Sequence, residues 1–175
     1  MAGEGVLSVE EAILTAIEFE TKVRDTYREA VEKADNEIGE RIFKVLMEEE
    51  QGHLDYLNSR LEEWRKTGKI QPEKIESKLP TREQIDEQVK GLEKKLEVKD
   101  RGVELRMLQK ALDVEEQTSN FYQRMVDTME DDEKMMFSRF LEIEEGHLAI
   151  VQAEIDSVTG MGFYFDMAEF NLEAG

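Results

Sequence analysis

The sequence predicts an all-α fold, a four-helix bundle of two helical hairpins with a long, partly helical crossover between the second and third helices. Three observations predict it. Of 175 residues, 37% are charged and 39% hydrophobic, and proline occurs only twice, a balance that suits long helices with charged outer faces. Apolar residues recur at intervals of three, four and seven along four stretches, the spacing of an amphipathic helix. The first hairpin is then echoed by the second, at an offset of 95 residues in its first helix and 94 in its second.

The first helix begins at Ser8, whose hydroxyl can cap while Glu11 reaches back, a Ser-x-x-Glu capping box, and runs to about Ala34. Its stripe is Ile13, Ile17, Val23, Tyr27 and Val31, with Glu20 in the middle. After Asp35-Asn36 the second helix carries Ile42, Phe43, Leu46, Glu50, His53, Leu57, Leu61 and Trp64, and Gly68 is its stop. Both prolines, Pro72 and Pro80, lie just beyond. Residues 69–99 read as a charged crossover with a solvated face. It contains a short helix capped at Thr81 and an apolar line at Ile85, Val89, Leu92 and Leu96. The third helix, from Asp100, presents Leu105, Leu108, Leu112, Glu115, Thr118, Tyr122 and Met125. The fourth, Asp131 to Thr159, offers Met136, Phe140, Glu144, His147, Val151, Ile155 and Val158 and stops at Gly160. The tail, 161–175, is aromatic enough to pack over the bundle or a partner subunit. The expectation is a single domain over 1–175, made of a hairpin at 8–68, the crossover, a hairpin at 100–160 and that tail.

The repeat aligns Glu20 and Tyr27 with Glu115 and Tyr122, and Phe43, Glu50, Gly52, His53 and Leu54 with Phe137, Glu144, Gly146, His147 and Leu148. Neither hairpin can bury its stripe alone, and packing the two together gives a ferritin-like arrangement. Both histidines of the chain sit in a Glu-x-x-His word, which puts carboxylate and imidazole on one helix face. One such word is common by chance. Two of them, joined by a central Glu on each remaining helix, match the ligand pattern of a dinuclear carboxylate site in a bundle. Glu20, Glu50, His53, Glu115, Glu144 and His147 are therefore the candidate metal ligands. Four carboxylates in a dry core need positive compensation. No Lys or Arg occupies the centre of a stripe, although Arg24 lies one turn past Glu20 and could flank it. Two divalent cations would balance the charge, and the oxygen and nitrogen donors suit iron or manganese, with zinc able to enter in a preparation.

Other residues have plainer readings. Tyr27 and Tyr122 are either core aromatics or hydrogen-bond partners of ligand carboxylates. Glu116 competes with its neighbour Glu115 but lies off the stripe, and Glu48, Glu49, Glu142 and Glu145 are expected to face solvent. The methionines, among them Met125, Met129, Met135 and Met136, read as core filler. Gly52 and Gly146 each precede a His in mid-helix, where Gly costs about 1 kcal/mol relative to Ala, so close approach of a neighbouring group is expected at both.

Net charge is −19, which repels phosphate backbones and anionic lipid and attracts cations; neither nucleic acid nor membrane is an expected partner. The chain has no cysteine, hence no disulfide and no thiolate ligand. Met1-Ala-Gly-Glu-Gly lacks a basic region followed by an apolar run, and no window reaches about 20 apolar residues, so the expected location is cytoplasmic.

Glu20 with Tyr27, Glu50-Gln-Gly-His53, Glu115 with Tyr122, and Glu144-Glu-Gly-His147 together resemble the rubrerythrin-like members of the ferritin-like superfamily, non-haem di-iron proteins. The resemblance covers nearly the whole chain. It implies two iron ions, bridging roles for Glu50 and Glu144, reduction of hydrogen peroxide to water, and a homodimer. The chain departs from the family in having no cysteine-rich rubredoxin domain, so it resembles shorter relatives that take electrons from a separate donor such as a rubredoxin. It also has Thr118 where rubrerythrins proper place an additional Glu one turn beyond the third-helix ligand, the residue used in their redox-linked ligand exchange. Ferritin-like oxidation of Fe(II) by O2, with iron handling or storage, is the alternative.

Overall fold

The computed structural model describes residues 5–35, 37–71, 75, 77, 79–84 and 102–159. Four long helices are present among them, and no strand: α1 (Val9–Lys33), α2 (Glu37–Thr67), α3 (Gly102–Thr128) and α4 (Asp131–Thr159). None is long and apolar enough to cross a membrane. The capping box forms as the sequence predicts: Glu11 N–H donates to Ser8 Oγ at 3.2 Å and Ser8 N–H donates to Glu11 Oε2 at 2.8 Å. At the other end of the hairpin Gly68 takes φ +67°, where a side chain would be strained, and its N–H donates to the Trp64 carbonyl at 2.8 Å.

Between α1 and α2 lie Ala34, Asp35 and Asn36; between α3 and α4 lie only Met129 and Glu130. That missing residue is why the repeat offset drops from 95 to 94 within the second hairpin. The shorter turn puts Asp131 at φ +54°, a left-handed conformation that Asp tolerates better than most residues.

The helices pack as α1 on α2, α3 on α4, and α1 on α3. Contacts fix the directions. Glu10 at the start of α1 pairs with Arg65 at the end of α2, and Glu29 near the end of α1 pairs with Lys110 near the start of α3. Two apolar clusters fill the interior. One holds Val23, Phe43, Leu46, Leu108 and Ile150; the other holds Ile13, Leu57, Phe121, Phe137 and Phe140. On α1 the buried line runs along Ala12, Ile13, Ala16, Val23, Tyr27 and Ala30, while Ile17 and Val31 are half-buried, so small alanines let the neighbouring helices approach. Met125, Met129 and Met136 are core, but Met135 is 59% exposed, because it precedes Met136 and so points off the buried face.

The crossover is not simply a solvated face. Ile70, Ile75 and Leu79 are buried, Arg60 Nη1 donates to the Gln71 carbonyl at 2.7 Å, and Arg139 Nε donates to the Ile75 carbonyl at 3.1 Å. At Thr81 the expected cap is present: Gln84 N–H donates to Thr81 Oγ1 and Thr81 N–H to Gln84 Oε1. The apolar line from Ile85 to Leu96, the stop at Gly160 and the tail 161–175 lie outside the described residues.

Candidate metal centre

Each helix reaches the centre of the bundle with a polar residue set between apolar ones. Glu20 lies between Ala16 and Val23, Glu50 and His53 between Leu46 and Leu57, Glu115 between Ala111 and Phe121, and Glu144 and His147 between Phe140 and Ile150. The result is a polar layer between the two apolar clusters. All four carboxylates are fully buried, and the two imidazoles are 2% and 1% exposed.

These six residues, the ones predicted from sequence, come together in two sets of four. Glu20, Glu50, His53 and Glu144 form one set; Glu50, Glu115, Glu144 and His147 form the other. Within each set the donor atoms lie within 4.8 Å of one another, and Glu50 and Glu144 belong to both. His53 Nδ1 is 3.2 Å from Glu50 Oε2 and 3.5 Å from both Glu20 Oε2 and Glu144 Oε1. His147 Nδ1 is 2.7 Å from Glu50 Oε1, 3.6 Å from Glu115 Oε1 and 3.7 Å from Glu144 Oε2. Two donors that each sit about 2.1 Å from one ion are at most about 4.2 Å apart, so these separations suit two ions. The hydrogen-bond census points the same way. Both oxygens of Glu50 and of Glu144, one oxygen each of Glu20 and Glu115, and both nitrogens of each imidazole have no hydrogen-bond partner among the described residues. Buried polar atoms in that number are not tolerated without compensation, and cations would supply it.

Arg24 does not flank Glu20. Its guanidinium is turned outward to Asp25 and to Gln51 Oε1 at 2.9 Å. Left to its own charges the cluster shares protons. Burial, with the Glu20 charge beside it, pushes Glu50 up to about 8, and burial with the Glu115 and Glu50 charges pushes Glu144 up as well. For Glu20, burial is outweighed by the protonated Glu50 beside it and by the His53 charge, which hold it down at about 2. Glu115 is likewise lowered against its burial by Glu144, His147 and Tyr27. Burial disfavours both imidazolium ions, yet the surrounding carboxylates raise His53 and His147 well above the ordinary range. The two shared carboxylates are thus the ones that hold protons, and a pair of divalent cations could replace those protons.

The tyrosines cross between hairpins. Tyr27 Oη donates to Glu115 Oε1 at 2.5 Å and Tyr122 Oη donates to Glu20 Oε1 at 2.6 Å, both fully buried. Thr118 is buried one turn beyond Glu115, but its hydroxyl donates back to the Val114 carbonyl at 2.8 Å. Glu116, Glu48, Glu142 and Glu145 are exposed as expected.

Glu49 corrects the sequence reading. It is only 11% exposed, its Oε1 accepts a hydrogen bond from Ser77 Oγ, and the same oxygen lies 3.9 Å from His147 Nε2. It forms a third set of candidate donors with His53 and His147. Inside the run Glu48-Glu49-Glu50 nothing in the sequence separates it from its solvent-facing neighbour; the crossover that covers it does. The two glycines also differ. A Cβ on Gly146 would lie 3.1 Å from the Pro80 carbonyl oxygen, whereas a Cβ on Gly52 meets nothing within 4 Å among the described residues. Among the described residues close approach therefore explains Gly146 alone, because the described part of the crossover passes over α4 at Pro80 and Thr81.

Compared with known proteins, residues 11–155 match the family model described as Rubrerythrin. No curated protein and no solved structure matches the chain.

Proposed function

The chain belongs to the rubrerythrin family, a ferritin-like di-iron family, and from that premise we propose that it is an oxidoreductase that reduces hydrogen peroxide to water. The observation that carries the proposal is the sharing of Glu50 and Glu144 between two sets of four buried donors. Glu20, Glu50, His53, Glu115, Glu144 and His147 would hold two iron ions, Glu50 and Glu144 belonging to both sets of donors. Iron bound there as a ferrous pair would supply the two electrons that, with two protons from solvent, turn the peroxide into two waters.

The chain's own residues set the conditions for that step. Glu20 and Glu115 each hold one outer position, and each is oriented by the tyrosine of the opposite hairpin. Burial and the adjacent carboxylate push the hydroxyls of both tyrosines well above their ordinary range, so each stays protonated and donates steadily to its carboxylate. Phe140, edge-on to His53 at 5.4 Å and stacked on Tyr122 at 5.2 Å, keeps one side of the layer dry. A dry, preorganised setting lets the protein fix spacing and polarity while the ions carry the redox chemistry. In this proposal the chain works as a homodimer in the cytoplasm and draws electrons from a separate rubredoxin-like protein.

Stopped-flow oxidation tests the proposal. The iron-loaded, reduced protein is expected to react faster with hydrogen peroxide than with air-saturated buffer; equal rates, or slower reaction with peroxide, contradict it. The net charge of −19 favours a second reading, Fe(II) oxidation and handling, since an acidic surface concentrates cations. A closed cage on size-exclusion chromatography would support that reading, and a dimer would oppose it.

A further inference from the structure

Through the repeat the six central residues and the two tyrosines of the polar layer match, but the surroundings of the two imidazoles do not. Both histidines turn Nδ1 toward the carboxylates. Once Nδ1 is given to an ion, the ring proton resides on Nε2, and a buried N–H needs an acceptor. For His147 that edge faces Glu49, with Oε1 3.9 Å from Nε2. A shift of about 1 Å brings the pair to an ordinary N–H···O length. Glu49 is held from the other side by the Ser77 hydroxyl. Ser77 in turn sits between two buried crossover residues, Ile75 and Leu79, with the Ile75 carbonyl tied to Arg139 and the Pro80 carbonyl against Gly146. His53, one nitrogen of which also lies within 4.8 Å of a Glu49 oxygen, has no such carboxylate from the other hairpin: the repeat places Ile143 at the position of Glu49, where it is buried in the apolar cluster, and the His53 ring meets Phe140 edge-on.

We propose that Glu49 is a positioning residue for one side of the metal pair. Anchored by Ser77, its carboxylate accepts a hydrogen bond from the Nε2–H of His147, so that the ion held by Glu115 and His147 binds more tightly than the ion held by Glu20 and His53. The inference rests on the two-metal reading above. It adds to it that the pair is unequal, and that the crossover, through Ser77, sets the inequality. An outer carboxylate fixes the ring, selects the tautomer and makes the bound nitrogen more basic.

Cobalt(II) is the probe, titrated without oxygen into the full chain and into Glu49→Leu, Glu49→Gln and Ser77→Ala. Dissociation constants come from competition with a chelator, and the exchangeable imidazole N–H resonances are read from the paramagnetic NMR spectrum. Leucine is a good helix former and the repeat already carries Ile at this position, so the fold should survive. The wild-type chain is expected to bind two ions unequally. Glu49→Leu should weaken the tighter one by about 10–100-fold and shift one of the two N–H resonances, leaving the other in place. Glu49→Gln, which keeps an acceptor oxygen, should recover most of the affinity, and Ser77→Ala should show a smaller loss in the same direction. Two ions bound equally in all four proteins, with both resonances unmoved, would overturn the role of Glu49 and leave the metal pair standing. A wild-type chain that takes up no pair of ions would overturn both.

Discussion

The Tyr27 hydroxyl donates across the bundle to Glu115, at 2.5 Å and fully out of contact with solvent. Its repeat partner Tyr122 returns the arrangement to Glu20 at 2.6 Å. Each outer carboxylate is thus fixed by the hairpin that does not carry it, which couples assembly of the bundle to the geometry of the centre. Removing either hydroxyl while keeping the ring leaves a buried carboxylate oxygen without its donor. Tyr27→Phe and Tyr122→Phe should each lower the stability of the metal-free protein by about 1–3 kcal/mol in chemical denaturation. Losses under about 0.5 kcal/mol would mean that the rings alone matter.

The sharing of Glu50 and Glu144 gives the site a stoichiometric signature. Glu20→Ala or Glu115→Ala removes a donor from one set, so each variant should still hold one ion firmly. Glu50→Ala or Glu144→Ala removes a donor from both sets and should lower the affinity for both ions. Metal analysis after gel filtration separates the cases. Equal loss in all four variants would argue against shared carboxylates.

Protonation should oppose metal binding with a definite sign. Glu50, raised to about 8, and Glu144, also raised, favour their protonated forms in the metal-free fold. Their stabilising contribution is therefore complete below the ordinary carboxylate range and is lost as pH rises through the folded-state values, about 8 for Glu50. His53 and His147 are shifted up as well, so their contribution also fades on the alkaline side. The melting temperature of the metal-free protein should fall between pH 6 and pH 9, on the order of the titration range of such groups. The metal-loaded protein should not share that fall, and its loading should release protons into a weak buffer. Parallel melting curves with and without metal would contradict this.

Much of this was legible in the sequence, because a helix stripe has a period and a repeat has a phase. The four helix ranges, the capping box at Ser8, the cap at Thr81 and the six central residues all follow from local chemistry plus one alignment of the chain with itself. What was not legible depends on the third dimension. Nothing local says that Tyr27 reaches Glu115 rather than its own helix neighbour. Glu49 reads as one more acidic residue until the crossover lies across it, and the same crossover separates Gly146 from Gly52. Arg24 sits one turn from Glu20, but its guanidinium is drawn outward to Asp25 and Gln51.

The two glycines provide a control on that crossover. Gly52→Ala places its methyl where no described residue lies within 4 Å and should stabilise the protein by up to about 1 kcal/mol through helix propensity. Gly146→Ala meets backbone at 3.1 Å, so part or all of that gain should be lost in displacing Pro80. Equal gains at both positions would show that the crossover does not rest on α4.

If two iron ions bound at this site deliver their electrons together, titrating the reduced, iron-loaded protein with hydrogen peroxide in the absence of oxygen, while following its EPR spectrum, should give an end point at one peroxide for every two irons, with the paired ferric ions spin-coupled and silent. An end point with one iron per chain, showing the signal of isolated ferric ion, would contradict it.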